Sequence, residues 1–179
     1  MAVREIVQLG DPVLRERAKP VESFGPELRA LVADMIETMR VANGVGLAGP
    51  QVAERLRVLV FEIPESDEHE DEPLAGRPYA LVNPEILEVS KATEEGQEGC
   101  LSIPGYIGEV QRHAAITVQA RNEWGKPKKI KAEGFLARVL QHEIDHLDGI
   151  LYIDRLESED KLYRIEQVEE AEEEATVVA

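Results

Sequence analysis

Cysteine is nearly absent: Cys100 is the single one in 179 residues. No intramolecular disulfide can form, which excludes a disulfide-stapled secreted domain and fits a reducing, intracellular compartment. No run of about 20 apolar residues occurs, so no membrane-spanning helix is expected. The opening Met1-Ala2-Val3-Arg4-Glu5 has no apolar core and carries an early acid, unlike a signal or transit peptide. Positive charge is scarce as well. Lys and Arg number 20 against 36 Asp and Glu, a formal net charge of -16. Phosphate recognition needs a basic patch, so binding to DNA or to RNA in general is disfavoured. The expectation is a soluble, cytoplasmic protein with neither DNA nor a membrane as partner.

What is present supports a packed core: 43% of the residues are hydrophobic and 31% charged. The length suits one domain, since domains run to about 100–150 residues. The negative charge is unevenly placed. Residues 62–76 hold seven acids and no Lys or Arg, and residues 157–179 hold nine acids and two bases. The rest of the chain is close to neutral. The acidity therefore belongs to one loop and one tail.

Periodicity predicts a helix over 26–41, opened by Pro26 and stopped by Asn43-Gly44, with Leu28, Leu31, Val32, Met35, Ile36 and Met39 on one face. Strands are expected at 57–63, 80–82, 86–89 and 115–120, with a hairpin turn at 122–126. A second helix is expected over 135–147, ended by Asp148-Gly149, and a third helical stretch from Lys161 into the tail. Strand blocks between helices, without a βαβ rhythm, indicate an α+β fold.

The strongest chemical signal is His142-Glu143-Ile144-Asp145-His146 on the second helix. Four residues make about one turn, so both imidazoles project from one face and can share a metal ion. Glu143, beside the first ligand, is placed to act as a general base. A catalytic site needs a third protein ligand. Two residues compete for that place: Glu166, 20 residues after His146, which would suit a zinc endopeptidase, and Cys100, whose thiolate is a strong ligand. A non-catalytic metal-binding module with an acidic recruiting tail is a third reading, but it leaves Glu143 and Gln51 without a task. His69 is assigned to solvated surface in the acidic loop. The segment Gly44-Val45-Gly46-Leu47-Ala48-Gly49-Pro50-Gln51 reads as a tight turn and lacks the Gly-Lys-Ser/Thr of a phosphate loop.

Taken together and in this order, Gly44 to Gln51, Glu98-Gly99-Cys100-Leu101-Ser102 and His142 to His146 resemble the three signature motifs of the peptide deformylase family. The lead-in Asp11-Pro12-Val13-Leu14-Arg15 is similar to the family's N-terminus, so the resemblance covers residues 3–156. One departure is Gly49, where the family usually has alanine; it is expected to loosen the turn without removing a functional group.

The resemblance implies an α+β fold whose antiparallel or mixed sheets pack around a central helix bearing the H-E-x-x-H motif. It divides the chain into a catalytic domain at 1–156 and an acidic tail at 157–179. It also implies an activity: removal of formate from the N-formyl-methionine that begins newly made bacterial or organellar proteins. The partners would be N-formyl-methionyl peptides of nascent chains, met transiently near the ribosome in a bacterial-type cytoplasm. Cys100, His142 and His146 would bind one Fe(II), with Zn, Ni or Co able to substitute. Donor chemistry alone does not select iron, because a Cys-His-His set holds zinc well and Fe(II) stands low in the affinity order. Glu143 would move the proton, while the Gln51 side-chain amide and the Leu101 backbone N–H would stabilise the oxyanion. Gly46 would hydrogen-bond the peptide like an added strand. Val45, Phe135 and Val139 would wall the methionine pocket. Arg112 would steady the peptide or pair with surface acids.

Overall fold

The strand expected at 57–63 contains the unbroken apolar run Val58-Leu59-Val60-Phe61, which has a structural reason: both of its faces are covered. In the computed structural model, which describes residues 1–165, the run forms the second strand of a five-stranded antiparallel sheet. In chain order the strands of this sheet are β1 (Gly46–Ala48), β2 (Val58–Glu62), β3 (Pro78–Val89), β6 (Ala115–Arg121) and β7 (Pro127–Glu133), joined in the order β1-β2-β3-β6-β7. Successive side chains of a strand point to opposite faces. Val58, Val60, Ala80 and Val82 accordingly pack with Leu28, Leu31, Met35 and Met39 of helix α1 (Pro26–Val41). Leu59, Phe61, Leu81 and Val118 pack on the other side with Leu136, Leu140, Ile144 and Leu147 of helix α2 (Gly134–Leu147). A strand buried on both faces reads as an unbroken hydrophobic stretch.

A second sheet holds β4 (Thr93–Cys100), β5 (Ile103–His113) and β8 (Leu162–Arg164) in the order β4-β5-β8. Every ladder among the described residues is antiparallel; parallel alignment is confined to the single bridge between Lys19 and Leu56. Helix α2 touches β1, β2, β6 and β7 of the first sheet and β5 of the second, and so lies between them. The expected α+β arrangement around a central helix is what the structure has.

Several local expectations need correction. The strands expected at 80–82 and 86–89 are one strand, β3, with register shifts after Val82 and Ile86. Asn83, at φ 52, exchanges hydrogen bonds with the backbone of Val21 at 2.8 and 3.0 Å, which ties this irregularity to the lead-in. The glycine-rich segment is more than a turn: Gly46–Ala48 is an edge strand, and only Gly49–Val52 turns, as one 3-10 coil. Gly49 does not loosen that turn. A Cβ there would lie 2.7 Å from the Leu56 carbonyl oxygen and 3.0 Å from that of Glu54, so its absence lets the backbone close. The helix expected from Lys161 is replaced at 162–164 by β8, because pairing with Tyr106–Gly108 outweighs the local helix preference. The remainder of that expected helix, from Glu166, lies outside the described residues.

Candidate metal centre

Three elements converge on one spot. Helix α2 supplies His142 and His146 from one face, as four-residue spacing dictates. Strand β4 ends on Cys100, where the β4–β5 ladder is irregular. Glu98 faces Gly108 while Cys100 already faces Ile103, so four residues of β5 stand opposite one of β4. Such bulges re-aim side chains, and this one sits at the tip that carries the thiol. The 3-10 coil after β1 brings in Gln51.

The donor atoms of Cys100, His142 and His146 lie within 4.8 Å of one another, and all three residues are buried. Cys100 Sγ stands 3.5 Å from His146 Nε2. Metal–sulfur bonds of about 2.3 Å and metal–nitrogen bonds of about 2.0–2.1 Å at a tetrahedral angle set two such donors roughly 3.5 Å apart. The thiol and that imidazole therefore already have the separation of shared ligands. His142 Nδ1 is held by Glu98 Oε1 at 2.8 Å, which turns Nε2 into the site. Among the described residues that Nε2 has no hydrogen-bond partner, and neither carboxylate oxygen of Glu143 has one. The donor set fits a divalent ion. Glu166, the competing third ligand, falls outside the described residues.

The electrostatics of these buried donors suit a cation. Burial pushes the Cys100 thiol up to about 12, with the Glu143 carboxylate adding to the effect. Burial first and Glu98 second hold Glu143 well above the usual carboxylate range. A metal cation at the common focus reverses this for Cys100 by favouring the thiolate. Glu98 behaves oppositely. Burial opposes its charge, but hydrogen bonds from Arg112 and His142 keep its carboxyl far below the ordinary range.

Gln51 is fully buried beside these donors. Its Oε1 accepts from the Ala48 N–H at 3.0 Å, and its Nε2 donates to Ser102 Oγ at 3.2 Å and to Cys100 Sγ at 3.5 Å. Leu101 follows Cys100 at the hairpin tip and is half-buried. Gly46 lies directly against Glu143: a Cβ at position 46 would fall 2.5 Å from Glu143 Oε2. Val45 and Val139 are buried in one apolar cluster, with Phe135 packed against it.

Sequence reasoning misplaced or missed several residues. Arg112 does not pair with surface acids; it grips buried Glu98 through two 2.9 Å bonds and Asp145 at 2.6 Å. Asp145, inside the motif, is buried and also accepts from Arg155 at 2.9 and 3.1 Å. His69 is not simple solvated surface, because its ring stacks on Phe135 with centroids 4.8 Å apart.

A thiol and two imidazoles placed to hold a metal, with a buried carboxylate and a buried amide donor close by, would make a site able to hydrolyse an amide bond. The class is that of metal-dependent hydrolases carrying H-E-x-x-H on a helix. The sequence profile of the family described as polypeptide deformylase matches residues 3–162. A peptide deformylase of Dehalococcoides mccartyi (strain ATCC BAA-2100 / JCM 16839 / KCTC 5957 / BAV1) is 47% identical over 178 residues, covering 97% of this chain and 98% of the relative. One from Thermomicrobium roseum is 46% identical, covering 98% of each. Among solved structures, the peptide deformylase from Thermotoga maritima matches with a TM-score of 0.81 at 42% identity, over 88% of this chain and 100% of that one. That from Ehrlichia chaffeensis in complex with actinonin matches with a TM-score of 0.83 at 40% identity, over 97% and 98%. The chain belongs to the peptide deformylase family. It is a hydrolase that removes the formyl group from the N-formyl-methionine of nascent proteins, and it depends on a metal as the family does.

Proposed function

We propose that Cys100, His142 and His146 hold the metal and that the metal is Fe(II), with Zn, Ni or Co able to take its place. The observation carrying this reading is the convergence of the three donors within 4.8 Å, next to a Glu143 carboxylate that has no hydrogen-bond partner among the described residues. A divalent ion held there supplies Lewis acidity, which polarises the formyl carbonyl and acidifies water. The protein groups do the rest. Glu143 takes a proton from the attacking water and returns it to the amine that leaves with the peptide. The Gln51 amide and the Leu101 N–H donate to the oxygen that gains negative charge. Gly46, on the outer edge strand β1, is open to backbone pairing with the peptide as an added strand. Val45, Val139 and Phe135 form the apolar wall for the methionine side chain.

The catalytic unit in this reading is residues 1–156, and residues 157–179 are an acidic appendage of which β8, Leu162–Arg164, pairs with β5. The substrate places the enzyme transiently near the ribosome, in a bacterial-type cytoplasm. No helix among the described residues is long and apolar enough to cross a membrane, and the net charge of -16 disfavours contact with nucleic acid. The test is formate release from a formyl-Met peptide by protein loaded anaerobically with Fe(II). Activity is expected to decay in air with iron, because metal and thiolate both oxidise, and to persist longer with nickel or zinc. Equal air stability of all metal forms would argue against iron, and loss of activity on Glu166→Ala but not on Cys100→Ser would argue for the endopeptidase ligand set.

A further inference from the structure

Arg138 lies outside all three motifs, yet it is built into the metal centre from behind. It sits on α2 one helical turn before His142 and is only 8% exposed. Its Nη1 donates to Glu98 Oε2 and to the Val110 carbonyl, and its Nη2 to the Glu94 carbonyl, each at 2.8 Å. The guanidinium thus bridges the backbones of β4 and β5 and ends on the carboxylate that holds His142. Glu98 is wholly buried and accepts four hydrogen bonds. Oε1 takes those of His142 Nδ1 and Arg112 Nη2 at 2.8 and 2.9 Å; Oε2 takes those of Arg112 Nε and Arg138 Nη1 at 2.9 and 2.8 Å. Arg112 is shared with Asp145, and Asp145 with Arg155. Arg138, by contrast, has Glu98 as its carboxylate partner and is pinned at its other end by main chain.

Gly96 makes room for this arrangement. A Cβ at position 96 would lie 2.8 Å from Arg138 Cζ and Nη2, so any side chain there would displace the guanidinium. We propose that Arg138, seated over Gly96, is a positioning residue for the metal site: by fixing the Glu98 carboxylate it fixes the His142 ring, with Nδ1 donating to Glu98 and Nε2 facing the metal. This rests on the reading that His142 is a ligand. Outer partners of ligating histidines set the tautomer and ring direction, and losing one costs about 10–100-fold in metal affinity or activity. Without Arg138, Oε2 keeps one donor instead of two, and the carboxylate can swing with the imidazole attached to it.

The experiment measures Co(II) binding to the full-length protein by competition with a chelator, together with the visible spectrum of the Co(II) form. Arg138→Met, which keeps the apolar stem, is expected to weaken binding about 10–100-fold and to shift the spectrum, with KM for a formyl-Met peptide unchanged at saturating metal. Arg138→Lys restores a charge but cannot reach three acceptors, so it recovers only part of the affinity. Gly96→Ala leaves every charge in place and moves binding in the same direction as Arg138→Met. Wild-type affinity and spectrum in Arg138→Met, even with a lowered melting temperature, overturn the proposal and leave a purely structural arginine. If Arg138→Met does not fold, Gly96→Ala decides: weakened binding supports the proposal and unchanged binding overturns it. Wild-type protein that binds no Co(II), or Cys100→Ser that binds it undiminished, would instead overturn the ligand assignment, and the proposal with it.

Discussion

Glu143 and the Cys100 thiol are buried close enough to interact, but their tasks separate under mutation. Glu143→Ala is expected to keep the metal and to lower kcat by about 10²–10⁴-fold, the usual contribution of a general acid–base group. Gln51→Leu should likewise keep the metal and lose about 10²–10³-fold, the size expected for one oxyanion donor. Gly46→Ala reaches the same end indirectly, since its Cβ would fall 2.5 Å from Glu143 Oε2 and push the carboxylate aside. Metal analysis alongside steady-state kinetics checks all three, and a metal-free Glu143→Ala would contradict the role given to it. The histidine pair and Cys100 were legible because a four-residue repeat on a helix and an ordered set of motifs need no knowledge of packing. Arg138, Arg112 and Asp145 were not. Their charges resemble those of a solvated helix face or strand edge until β4, β5 and α2 are brought together; only then do Arg138 and Arg112 become buried partners of Glu98, and Asp145 a partner of Arg112.

At the scale of elements, both main helices and the run at 57–63 could be read from apolar spacing. Strands β4 and β5 could not. Thr93–Cys100 reads Thr-Glu-Glu-Gly-Gln-Glu-Gly-Cys, with little β preference and five exposed or half-exposed positions before the buried end. It is a strand because β5 pairs with it, so tertiary context overrides propensity. The coil after β1 shows the same dependence. Its glycine at 49 lets the backbone close on the carbonyl oxygens of Leu56 and Glu54, a contact that no local reading of the sequence shows. Gly49→Ala is therefore expected to destabilise the fold by about 1–3 kcal/mol, the usual cost of overpacking. Urea unfolding would measure it as a lowered midpoint at constant m-value. An unchanged midpoint would mean that the 54–56 backbone yields without strain.

For the whole molecule, charge and chemistry occupy different regions. The acidic surplus lies at 62–76 and 157–179, while every proposed catalytic group precedes residue 147. Deleting residues 169–179 should leave kcat/KM for a short formyl-Met peptide nearly unchanged. A large loss with the metal retained would mean that the tail contributes to the site. The acidic loop is less remote, because His69 within it stacks on Phe135 and so reaches the apolar wall assigned to the methionine side chain. All of this depends on the identity of the donors that close around the metal. X-ray absorption at the zinc edge of the zinc-loaded protein reads that set directly. One sulfur at about 2.3 Å and two imidazole nitrogens at about 2.0–2.1 Å, with a light-atom fourth neighbour, are the result predicted for Cys100, His142 and His146. A first shell without sulfur would contradict it.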